Sequence, residues 1–72
     1  MNLSIQLYKE LLAIGTNITI KGGIGGENLK DLAIIASKSN VLLTIKVDSN
    51  MSDVELKELA EVGQRNINIE FI

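Results

Sequence analysis

The chain has no cysteine, no histidine, no tryptophan and no proline, and of its 72 residues only Tyr8 and Phe71 are aromatic. Without cysteine there is no disulfide framework, no thiolate nucleophile and no thiolate metal site. Without histidine the commonest general base near neutral pH, and the commonest transition-metal ligand, is missing as well. Most hydrolytic and redox mechanisms thereby lose their usual residues. With two aromatics the core has to be assembled from isoleucine, leucine and valine, side chains that suit a sheet in part.

A surplus of one sign of charge is also lacking. The formal net charge is −2, which works against a phosphate-binding footprint, so no nucleic-acid partner is expected. No apolar run approaches the roughly 20 residues of a bilayer span, and no basic segment followed by an apolar one opens the chain. The expectation is a soluble, cytoplasmic protein without a membrane partner. Its length allows one domain, residues 1–72, burying roughly 60% of the surface that the unfolded chain exposes. The abundance of isoleucine, asparagine and lysine suits an AT-rich, bacterial genome.

What the sequence does have is repetition. Leu3-Ser4-Ile5-Gln6-Leu7, Ile18-Thr19-Ile20-Lys21-Gly22, Leu43-Thr44-Ile45-Lys46-Val47 and Ile67-Asn68-Ile69-Glu70-Phe71 share one pattern of aliphatic, small polar, isoleucine, long polar. The alternation is that of a strand with one buried face and one wet face. Between these stretches, Tyr8-Lys9-Glu10-Leu11-Leu12-Ala13-Ile14-Gly15, Leu29-Lys30-Asp31-Leu32-Ala33-Ile34-Ile35-Ala36 and Leu56-Lys57-Glu58-Leu59-Ala60-Glu61-Val62-Gly63 align position by position. Leu29, Leu32, Ala33 and Ala36, like Leu56, Leu59, Ala60 and Gly63, recur at i, i+3, i+4 and i+7 and make one apolar helical face. Ser52-Asp53-Val54-Glu55 has the spacing of a capping box, and Gly15 and Gly63 stand where a left-handed C-terminal residue is expected.

Self-similarity at this spacing predicts a stacked fold, each unit burying its apolar face against its neighbours. One-sided alternation predicts a sheet covered on one face only. The expected fold class is α/β: a small, solenoid-like β/α repeat in two layers, with a mostly parallel sheet of three to four strands in chain order and about three helices on one face. The N-terminus fits this least well. The first unit runs from Ile5 to Ile20, 15 residues, against 25 from Ile20 to Ile45. Residues 4–14 also fit a single helix with Leu7, Leu11 and Ile14 on one face and Ser4 as its cap.

One segment resembles a ligand motif. Lys21-Gly22-Gly23-Ile24-Gly25-Gly26 lies between a predicted strand and a predicted helix, where backbone amides and a helix N-terminus can hold a phosphate. Lys21, Gly22, Gly23, Gly25 and Gly26 are the candidate ligand residues, and Asp48 stands where an acid would meet a ribose. The match is incomplete. The third glycine of G-x-G-x-x-G falls on Asn28, and four glycines also serve a turn that needs positive φ. Asp48 to Asp53 is rich in oxygen donors but fails as an EF-hand, with Asp53 where glycine belongs and Leu59 where a bidentate glutamate belongs. No metal and no cofactor is expected.

The other candidate is a surface. On the wet face Ser4, Thr19, Thr44 and Asn68 would form one row, and Gln6, Lys21, Lys46 and Glu70 another, with the two lysines side by side. Ile34 and Leu42 are aliphatic where the pattern predicts exposure. Neither expected edge strand carries the proline, bulge or inward charge that blunts edge pairing. The sequence therefore favours a non-enzymatic interaction or scaffold module, meeting a protein partner or a second copy through Thr19, Lys21, Ile34, Leu42, Thr44, Lys46, Asn68, Glu70 or its strand edges. The alternative is a small phosphate- or nucleotide-binding domain using Gly22 to Gly26.

Overall fold

The computed structural model describes residues 5–47 and 51–72. Helices and strands alternate along them: α1 (Ile5–Ile14), β1 (Ile18–Lys21), α2 (Gly26–Ser39), β2 (Leu43–Val47), α3 (Asp53–Gly63) and β3 (Ile67–Phe71). Single 3-10 turns at Gly22–Ile24 and Gln64–Asn66 lead out of β1 and into β3.

The N-terminal strand is overturned for its described part, because Ile5, Gln6 and Leu7 open α1; Leu3 and Ser4, with the expected cap, lie outside the described residues. Ile5, Tyr8 and Leu12 decide the outcome. At i, i+3 and i+7 they form a helical stripe that packs into the core, with Leu12 fully buried. The other stripe, Leu7-Leu11-Ile14, does not face inward: Ile14 is 79% exposed. The described residues thus form three helix–strand units, and Gln6 drops out of the predicted polar row.

All three strands are parallel, in the order β1-β2-β3. Their register is the one the repeat implies. Ile18, Leu43 and Ile67 are neighbours, as are Thr19, Thr44 and Asn68, Ile20, Ile45 and Ile69, and Lys21, Lys46 and Glu70. Parallel neighbours need a crossover, which α2 and α3 supply. The helices lie side by side, α1 against α2 and α2 against α3. Between the layers, Leu12, Leu29, Leu32, Ala33 and Ala36 meet Ile20, Leu43, Ile45 and Val47. Each fully buried leucine contributes about 1.5–3 kcal/mol, while Ala33 and Ala36 keep α2 close to the sheet.

The helix ends follow local chemistry. Ser52 caps α3, its Oγ accepting the Glu55 N–H at 3.2 Å and its hydroxyl donating to Glu55 Oε1 at 3.4 Å. Gly15 takes a positive φ of 111° after α1, as expected. Gly63 does not, for its φ is −91° and the positive φ falls to Gln64. After α2, Asn40 adopts the left-handed conformation and its N–H reaches the Ala36 and Ser37 carbonyls. Among the described residues no helix is long and apolar enough to cross a membrane.

Candidate functional site

The face of the sheet away from the helices carries two rows of side chains, set by register alone. Parallel neighbours stand about 4.8 Å apart, so Thr19, Thr44 and Asn68 form one rank and Lys21, Lys46 and Glu70 the next. Thr44, in the central strand, is only 8% exposed, whereas Thr19, Lys21, Lys46, Asn68 and Glu70 are exposed. Two ammonium groups side by side repel, and Glu70 flanks only Lys46. Among the described residues neither lysine joins an ion pair; the pairs present are Lys9–Asp31 and Lys30–Glu58.

Asparagines stand where the chain enters the strands. Asn17 Oδ1 accepts the Leu42 N–H at 2.8 Å, and Asn66 Nδ2 donates to the Val41 carbonyl at 3.0 Å and to Asn40 Oδ1 at 3.4 Å. These side chains tie β1 to β2 and β2 to β3 before the ladder begins. The sequence held the signal, since Asn17 and Asn66 each immediately precede a strand.

The glycine segment divides in two. Gly22 and Gly23, in the turn after β1, join Lys21, Lys46 and Met51 around a cleft of about 280 Å³ at the C-terminal ends of the strands, the end at which open α/β sheets take ligands. Lys21 and Lys46 also border a shallower hollow beside Tyr8. Gly25 and Gly26 lie outside the cleft, at the start of α2. Two of the four glycines have a plain structural cause. A Cβ on Gly22 would lie 2.9 Å from Met51 Sδ and 3.3 Å from Val47 Cγ1, and Gly25 has a φ of 99°.

The start of α2 is electrostatically unsuited to an anion. Its amides have no side-chain cap, but Glu27 occupies the first turn, and Glu55 Oε2 sits 3.5 Å from where a Gly26 Cβ would be. Two carboxylates already complement the positive end of the helix dipole. Asn28, at the position of the missing third glycine, folds back to donate to the Ile24 carbonyl at 2.7 Å. The Asp48 expectation lies outside the described residues, and among the described residues no group of three acids is placed to hold a metal.

Ile34 and Leu42 are 41% and 40% exposed, as their positions predict. They belong to different layers, Ile34 to α2 and Leu42 to the entry of β2, so they do not form one patch with the polar rows. Phe71 is a further exposed residue, which the alternation alone does not reveal. By parity it faces the helix side, like its register neighbour Val47, yet it is 75% exposed against 1% for Val47. Among the described residues no helix covers it on that side of β3. The chain matches no protein-family model, no curated protein and no solved structure.

Proposed function

We propose that the protein is a small, cytoplasmic, non-enzymatic interaction module, a short solenoid-like stack of helix–strand units that associates with a protein partner, foremost a second copy of itself, through its strand edges. The exposure of Phe71 carries this reading. On the helix side Ile20, Leu43, Ile45 and Val47 are buried and Ile18 is half-covered, whereas in β3 Ile67 and Ile69 are half-covered and Phe71 is open. An aromatic and two isoleucines along a free parallel edge make a continuous apolar and hydrogen-bonding surface, of the kind that proteins otherwise blunt or cover. The polar rows continue beside it.

Sedimentation equilibrium from about 1 μM to about 1 mM, the range of modest protein affinities, is the test. An apparent mass that rises with concentration is expected; a monomer throughout removes self-association from the reading. A second reading rests on the cleft, whose paired Lys21 and Lys46 would take a small anion. Addition of inorganic phosphate or ATP should then shift the amide resonances of Lys21, Gly22, Gly23 and Lys46, and unchanged spectra dismiss it.

A further inference from the structure

The two ion pairs of the helix layer occupy equivalent positions. Lys9 of α1 reaches Asp31 of α2, with Nζ 3.9 Å from Oδ2, and Lys30 of α2 reaches Glu58 of α3 at 2.5 Å. In the aligned helices Lys9, Lys30 and Lys57 share one position, and Glu10, Asp31 and Glu58 the next. Each lysine pairs with the acid one unit further along the chain. Two members of the ladder are left over. Among the described residues Lys57 on α3 has no ion pair, and Glu10 on α1 has none either and accepts from the Gln6 amide at 3.5 Å.

Burial follows the same rule. Leu12 and Ala33 are fully buried, yet Ala60, which aligns with both, is exposed. At the other end, Ile14 is 79% exposed while its counterparts Ile35 and Val62 are half-buried and pack on the core. Among the described residues, therefore, no helix packs against the free flank of α3 or the opposite flank of α1. The sheet has matching ends, since beyond Glu70 of β3 a further strand of the same register would bring a residue equivalent to Lys21 or Lys46.

We propose that copies of this chain stack head to tail, with α1 and β1 of one copy standing against α3 and β3 of another as α2 and β2 stand against α1 and β1 within the chain. Glu10 of one copy then meets Lys57 of the other, and Lys21 comes beside Glu70. Phe71 and Ala60 pass under the incoming α1. The proposal rests on reading the protein as a self-associating module and adds the surfaces and their polarity. Such an interface is heterologous: it leaves a free end on each side and extends unless the rotation closes a ring.

Charge reversal separates this arrangement from a two-fold dimer. K57E and E10K, folded by circular dichroism, should each weaken association by roughly three- to ten-fold, in line with an exposed ion pair turned repulsive. The double variant K57E/E10K should recover wild-type association to within about two-fold, since the same pair is re-formed with its charges exchanged. An equimolar mixture of the two single variants should regain association and grow past a pair as an alternating stack, because both mixed seams set acid against lysine and only the like-with-like seams repel; a two-fold dimer would stop at one-to-one. Ala60→Gln, which fills the seam with an uncharged side chain and leaves Lys57 and Glu10 in place, should also weaken association. A monomeric wild type removes self-association from the module reading and the stack with it. Association that ignores K57E, E10K and Ala60→Gln, or a mixture that associates no better than either single variant or stops at a one-to-one pair, overturns the stack and leaves self-association standing.

Discussion

Gly63 approaches Ile67 so closely that a Cβ on Gly63 would fall 1.9 Å from Ile67 Cγ1 and 2.8 Å from its Cδ1. The contact closes the last turn of α3 onto the start of β3 and leaves no room for a side chain. In an unconstrained helix, glycine to alanine stabilises by about 0.5–1 kcal/mol. Here the sign reverses. Gly63→Ala should destabilise by about 1–3 kcal/mol, the cost of overpacking a filled site. A urea midpoint that falls checks it; one that rises shows that Ile67 gives way freely.

The same pair shows where sequence reasoning stops. Gly63 was legible as a helix end, but its cause is a close approach made in three dimensions, and the positive φ falls on Gln64. The strand register was legible because Thr19, Thr44 and Asn68 share both polarity and parity, and a slip of one residue would have turned every isoleucine outward. The first unit misled for a related reason. Leu3-Ser4-Ile5-Gln6-Leu7 alternates like a strand, but Ile5 also begins the helical stripe completed by Tyr8 and Leu12, and burial against α2 selects the helix. The polar rows followed from register, whereas the cleft and the bare Phe71 depend on which elements lie above each strand, which the alternation does not encode.

Ser52 shows the local chemistry at its simplest. Its Oγ satisfies the Glu55 N–H, one of the orphan donors of α3. Ser52→Ala should cost about 1 kcal/mol in urea denaturation, and Ser52→Asp should restore most of that. Equal loss in both variants would show that the cap contributes little.

Lys30 links stability to alkaline pH. Its hydrogen bond to Glu58, reinforced by the charges of Glu58, Glu27 and Glu55, raises its pKa above the ordinary 10.5. A raised folded-state pKa means that the fold favours the protonated amine. The contribution is therefore complete below about pH 10.5 and is lost as pH rises through the higher folded value. Lys30→Met should be less stable than wild type near neutrality, with the gap narrowing above pH 10.5. Both side chains are well exposed, so the gap should also narrow as salt screens the pair. A difference that neither salt nor alkali reduces would assign the effect to the lysine stem.

Ile34 and Phe71 make opposing predictions about association. Both are exposed aliphatic or aromatic side chains, but Ile34 lies on the middle helix of the layer and Phe71 on the outermost strand. In a head-to-tail stack only the flanks of the layer are covered by a neighbour, so Ile34→Glu should leave both fold and association unchanged. Phe71→Asp should spare the fold, because the side chain buries little within the chain, and should weaken association by roughly ten-fold, about the value of a part-buried aromatic at an interface. Sedimentation of the two variants at one concentration reads the contrast. Weakening by Ile34→Glu alone would move the interface to the outer helix face and separate it from the strand edge altogether.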